Sequence, residues 1–206
     1  MRSVGHFFTL STALLLLLGV LVQPASAQLF GPKNPPPPMK KASDLIHRGQ
    51  PPAKIDKSLE SVITPDNAHV IISIAKQRAY LMVGEQIYID TPISSGRKGH
   101  ESPTGSFHIL EKDPDHRSSI YGDFVDKSGR VIRSGISSQI DSAPSGTHYQ
   151  GASMKWFCRL TNGGVGFHVG ILPGYPASHG CIRLPADIAP LIYQKVKIGT
   201  LAVVEP

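Results

Sequence analysis

Hydrophobic and polar positions divide the chain into three stretches. Residues 10–22 are an apolar run with five consecutive leucines, Leu14 to Leu18. Residues 28–67 are polar and broken by Pro35-Pro36-Pro37-Pro38, Pro51-Pro52 and Pro65. From residue 68 onward, short apolar β-branched runs alternate with Gly/Pro turns, the pattern of a mainly β domain. Residues 70–74 predict a strand, 78–83 a second, and 86–94 a third with Ile87, Ile89 and Thr91 on one face. Residues 106–110 predict a fourth. Phe124-Val125 and Val131-Ile132 suit a hairpin around Ser128-Gly129-Arg130, and the rest of 111–148 reads as polar loop. Residues 154–160 and 165–169 predict strands joined by the Gly163-Gly164 turn. A helix is expected within 186–197, with Ile188, Leu191, Ile192 and Val196 on one face. Pro190 fits only its first turn, so the helix starts late, and Gly199 ends it. Residues 201–204 close the domain as a strand.

The N-terminal third reads as targeting and spacing. Arg2, the apolar run and Ala25-Ser26-Ala27 have the layout of a secretory signal peptide over residues 1–27, cleaved before Gln28. The run is short for a membrane span, which takes ~20 residues; an uncleaved anchor is the alternative. Residues 28–67 form a Pro-rich linker, with 44–48 and 55–62 each suited to a short helical turn. Residues 68–206 are then the folded domain. No internal repeat is visible.

Composition adds the partner class. The 206 residues carry a net charge of +6; the leader holds one arginine and no acid, so the mature chain stays basic at +5. An exported basic protein suits an anionic polymer outside the membrane. No RNA-binding signature or dense Lys/Arg block is present, so nucleic acid is the weakest of these partners.

Chemistry concentrates in Phe167–Pro185, which holds His168 and Ser178-His179-Gly180-Cys181. A thiol needs a base or a positive field to become a nucleophile. His168 precedes Cys181 by a loop's length and is the candidate base, its second ring nitrogen requiring an acceptor. The backbone N–H groups of His179, Gly180 and Cys181 suit an oxyanion hole. Two other readings stay open on the residues alone. Cys158 and Cys181, the two cysteines of an exported chain, suit a disulfide. His168, His179, Cys181 and Cys158 are zinc-ligand types, although their spacing fits no compact zinc motif.

The stretch His168…Ser178-His179-Gly180-Cys181-Ile182-Arg183-Leu184 closely resembles the signature of the L,D-transpeptidase catalytic domain (YkuD) family. Ser94-Ser95-Gly96 and Ser102-Pro103-Thr104-Gly105-Ser106-Phe107 resemble its other conserved segment, and Gly199-Thr200 before the last strand also fits. The resemblance covers about residues 68–206. It implies a β-sandwich-like fold with a short helix near the C-terminus, and a cysteine-dependent acyltransferase. Cys181 is then the nucleophile, His168 the proton donor and acceptor, and His179 and Gly180 part of the oxyanion-hole turn. Where the family often has a side chain that orients the histidine, this chain has Val169, whose backbone carbonyl alone can accept. Ser178, Arg183, Tyr175, Met154 and Trp156 are expected at the substrate, and Cys158 as a buried thiol. The implied partners are peptidoglycan stem peptides, with a wall lipoprotein as a further acceptor, and the implied reaction forms 3→3 cross-links with release of D-Ala; hydrolysis of the same bond, or a catalytically inactive wall-binding module, is the alternative. It requires no metal or other cofactor.

Overall fold

The computed structural model describes residues 49–206. The leader and the first part of the Pro-rich linker lie outside the described residues. Among those described, no helix is long and apolar enough to cross a membrane.

The domain is built from three sheets and one short helix. The first sheet holds β1 (Lys54–Ile55), β2 (Ala68–Ser73), β3 (Arg78–Val83), β4 (Gln86–Pro92), β5 (Gly105–His108) and β13 (Leu201–Glu205), in the order β1-β4-β3-β2-β13-β5. The closing strand runs parallel to β2, with Ala202 opposite Val70, and antiparallel to β5. The second sheet holds β6 (Glu111–Asp113), β10 (Phe157–Arg159), β11 (Gly166–Val169) and β12 (Ile182–Leu184), in the order β12-β11-β10-β6. Val70, Ile72, Leu81, Ile89 and Ala202 from the first sheet share one core with Cys158, Phe167, Ile182 and Leu184 from the second. This is a sandwich in the sense that the inward faces of two sheets make the core.

Helix α1 (Ala189–Lys195) starts late, with Pro190 in its first turn, where the missing N–H costs nothing. Ile188, Ile192 and Val196 are buried as the periodicity requires. Lys195 in its last turn reaches Glu60 at 3.2 Å.

Three expectations need correction. Ile87 does not share a face with Ile89 and Thr91. A β-bulge places Leu81 opposite Ile89 and Met82 opposite Ile87, so Tyr88 is the extra residue and turns inward while Ile87 is exposed. Residues 51–67 are not free spacer. Ile55 pairs with Ile89, Leu59 and Ile63 enter the core, and Arg78 donates to the Pro51 carbonyl at 2.6 Å. Most of the polar stretch 111–148 is not loop. It forms a third sheet from β7 (Arg117–Val125), β8 (Val131–Ser137) and β9 (His148–Ser153), in the order β8-β7-β9. The expected hairpin at residues 126–130 is its β7–β8 turn. The strands were hidden because both faces carry mainly polar residues, so no apolar alternation marks them.

Candidate active site

Two neighbouring strand ends set the site. β11 carries His168, and β12 begins one residue after Cys181; the two are parallel, with His168 opposite Arg183. Parallel strands need a crossover of about a dozen residues, and residues 170–181 supply it.

A second backbone segment holds that crossover. Ser94 exchanges two backbone hydrogen bonds with Arg183, at 3.1 and 2.9 Å. The Ser95 carbonyl accepts the N–H groups of Ala177 and Ser178 at 2.9 and 3.0 Å. Gln77, buried with a left-handed backbone (φ 51°), holds Ser95 from below. Its Oε1 accepts the Ser95 N–H at 3.0 Å, and its Nε2 donates to the Ser95 hydroxyl and the Ile74 carbonyl at 2.7 Å each.

The turn itself is locked by two serines. Ser178 Oγ accepts the Gly180 N–H at 3.0 Å and donates to the Cys181 carbonyl. Ser102 Oγ accepts the Gly96 N–H at 2.9 Å and donates to the Gly180 carbonyl at 2.7 Å. Gly180 sits at φ 116°, a conformation only glycine adopts without strain. Its N–H, expected among the oxyanion donors, is therefore already engaged. The His179 and Cys181 N–H groups meet no protein acceptor among the described residues.

His168 is 7% exposed. Its Nδ1–H donates to the Val169 carbonyl at 2.7 Å, the acceptor anticipated from the valine, and this leaves Nε2 as the basic atom. Burial drives its pKa down to about 4, assisted by the charges of Arg183 and His116 and opposed by the Val169 bond. The Cys181 thiol is pushed up by burial, while the Gly166 N–H, Arg183 and Arg159 pull it back. It donates a long bond to the Gly164 carbonyl at 3.8 Å. The resting pair is thus a neutral thiol and a neutral imidazole.

Both groups open on a cavity of about 760 Å³ between the crossover and the third sheet. Met154, Ser178, His179 and Arg183 line it. Its lining includes Arg117, Arg159 and Arg183 but no carboxylate. Arg183 lies across Gly170, and its Nη1 makes a single long bond to the Ile171 carbonyl at 3.4 Å.

Tyr175 and Trp156 are not at the cavity. Tyr175 is 53% exposed and contributes only its carbonyl, which accepts from Ser94 Oγ at 2.8 Å. Trp156 packs on the core and meets Tyr193 edge-on at 5.2 Å. Its backbone is left-handed (φ 59°), which breaks the expected strand 154–160 and turns the indole away.

The sequence reading missed Gln77, His116 and Tyr121, and quoted Ser102 without giving it a role in the site. Tyr121 stacks on the His179 ring at 4.2 Å, and Arg97 donates to His179 Nε2 at 2.8 Å.

Neither alternative use of the cysteines appears. Cys158 and Cys181 are both free thiols. Among the described residues, the one cluster of three metal-capable side chains is Glu111, Asp113 and His116, not the cysteine–histidine set.

The fold and site define a β-rich domain with a thiol and an imidazole on one cavity. A profile of the L,D-transpeptidase catalytic domain (YkuD) matches residues 67–204, and the chain belongs to that family. No curated protein matches significantly. Solved structures share the fold at low identity. An L,D-transpeptidase from Mycobacterium smegmatis is 23% identical, with a TM-score of 0.51 over 68% of this chain and 59% of that one. An LD-transpeptidase, LdtMt1, in complex with imipenem is 21% identical, with a TM-score of 0.50 over 67% of this chain and 58% of that one. This chain thus spans less than two thirds of either relative.

Proposed function

We propose that the protein is an exported peptidoglycan L,D-transpeptidase that works through a Cys181 thioester. The observation that carries the reading is the His168–Val169 hydrogen bond, which fixes the tautomer and leaves Nε2 basic on the cavity that also holds Cys181.

The chemistry follows from the groups present. His168 Nε2 takes the Cys181 proton as sulfur attacks the carbonyl of the third stem residue, so charge separates only when substrate is in place. The His179 and Cys181 N–H groups receive the developing oxyanion; removing one such donor costs about 3–4 kcal/mol in other acyl-transfer enzymes. Collapse expels D-Ala, whose amine takes the proton from His168. An amine of a neighbouring stem then attacks the thioester, forming the 3→3 amide and returning the thiol. The carboxylate-free wall with Arg183 suits anionic stem peptides, and Met154 offers apolar contact. The leader and Pro-rich spacer suit delivery to the wall.

The test is incubation of the purified protein with a disaccharide-tetrapeptide, products being read by mass spectrometry beside Cys181→Ala. Loss of D-Ala with a Cys181-dependent dimer is expected. Tripeptide alone would make the protein a hydrolase, and no D-Ala release with no imipenem adduct on Cys181 would overturn the reading.

A further inference from the structure

The cavity holds a second imidazole that the acylation chemistry leaves unused. His116 lies between β6 and β7 and lines the cavity that holds Cys181 and His168. Its Nδ1 lies 3.1 Å from Asp113 Oδ2. The Asp115 N–H, assisted by His116, holds the Asp113 carboxyl below the usual carboxylate range, so Asp113 is an anion and His116 Nδ1–H donates to it. The ring lies nearly flat on Phe157, at 4.2 Å and 13°, and Phe157, fully buried, also flanks the His168 ring at 6.3 Å. The Met154 N–H fixes the backbone by donating to the His116 carbonyl at 2.8 Å. Glu111, the third acidic neighbour, is committed to Arg159 at 2.5 Å. What remains is an imidazole oriented by a carboxylate at Nδ1, with no protein partner at Nε2 among the described residues, the arrangement that suits a general base.

We propose that His116 is the proton acceptor for the amine that resolves the thioester, with Asp113 as its positioning residue. The proposal rests on the transpeptidase reading. An acceptor amine arrives largely as ammonium, which has no lone pair for attack. Arg117, Arg159 and Arg183 on the cavity wall favour its neutral form. His168 is buried, holds a proton weakly, and already serves the thiol and the departing amine. His116 takes one proton from the ammonium, and the imidazolium is stabilised by Asp113. The neutral amine attacks the thioester carbon. His168 takes the second proton from the attached nitrogen as the C–S bond breaks, then returns it to the Cys181 sulfur. His116 releases its proton to solvent.

The test uses the whole protein and two acceptors: a stem-peptide amine, which is an ammonium at neutral pH, and hydroxylamine, which is already uncharged. Transfer to each is compared in His116→Gln, Asp113→Asn and the unaltered protein, with imipenem acylation of Cys181 as the measure of the first half-reaction. His116→Gln is expected to cut transfer to the stem amine by about 10²-fold relative to acylation, with transfer to hydroxylamine far less affected. Asp113→Asn is expected to give the same selectivity with a smaller loss. Equal losses with both acceptors, or no loss with either, would overturn the proposal. Failure of the unaltered protein to release D-Ala and to take up imipenem would instead overturn the transpeptidase reading itself, before any variant is compared.

Discussion

Gln77 Nε2 donates to Ser95 Oγ at 2.7 Å while Gln77 Oε1 accepts the Ser95 N–H at 3.0 Å, so one amide side chain grips one serine at two points. The Ser95 carbonyl in turn accepts from Ala177 and from Ser178, the first residue of the Ser178–Cys181 turn. Replacing Gln77 by leucine keeps the bulk and removes both bonds, leaving the buried Ser95 N–H and hydroxyl unpaired. The expected loss is on the order of 2–4 kcal/mol by urea denaturation. Imipenem acylation of Cys181 is expected to slow in protein that remains folded. Unchanged acylation would show that the turn holds its shape without this support.

The two thiols are expected to behave differently. Cys158 is fully buried and burial pushes it up to about 12; Cys181 is partly exposed at the cavity. Native protein is therefore expected to react with one equivalent of iodoacetamide, at Cys181, and Cys181→Ala with none until it is unfolded. Because the Cys181 thiol is itself raised, its alkylation rate is expected to keep climbing above the usual thiol range. A plateau near neutral pH would mean a resting thiolate.

His168 gives the fold a pH dependence with a definite sign. Its pKa is about 4 when folded, against an ordinary value of 6.5, so the unfolded chain binds the extra proton between those limits. Stability from this group is fully present above about pH 6.5 and is lost as pH falls toward 4, on the order of 3 kcal/mol in all. The carboxyls of Asp56, Glu60, Glu101, Asp113 and Asp126 also shift downward, so the measurement is a comparison: His168→Gln is expected to flatten the denaturation midpoint across that window. Parallel profiles would remove the histidine as the cause.

Strands β2, β3, β4, β5 and β13 of the first sheet were legible from short apolar, β-branched runs bounded by turns, β1 was hidden in the Pro-rich stretch, and helix α1 was legible because Ile188, Ile192 and Val196 keep helical spacing. Cys181, His168 and the turn were legible because small and nucleophilic residues cluster in one short stretch. What escaped depends on contacts distant in sequence. Gln77 sits between Lys76 and Arg78 and looks like surface, yet its partner lies 18 residues away. Ser102 looks like a turn residue, yet it holds a carbonyl 78 residues away. Trp156, expected at the substrate, suits a core position equally as an apolar residue, and its left-handed backbone turns it there. Burial of a polar side chain is decided by the partner that satisfies it, and local pattern does not name that partner.

Gly170 offers a test of Arg183 that leaves the guanidinium in place. A Cβ at residue 170 would stand 2.6 Å from Arg183 Cγ and 2.7 Å from Cδ, too close for either to stay. These atoms lie near the base of the side chain, so the arginine must swing, and Arg183 Cβ, at 2.9 Å, makes the adjoining backbone give slightly as well. Gly170 needs no left-handed backbone, and its N–H bond to the Leu184 carbonyl at 3.0 Å survives the change, so Gly170→Ala is expected to fold. If Arg183 receives a stem-peptide carboxylate, the substitution raises KM for the tetrapeptide about tenfold, the loss of one charge-assisted contact. In an Arg183→Ala background the same glycine change is expected to have little further effect on KM, because the guanidinium, Cγ and Cδ are gone and only the Cβ contact at 2.9 Å remains. Additive losses would instead assign the effect to the β11–β12 crossover and leave Arg183 a structural residue.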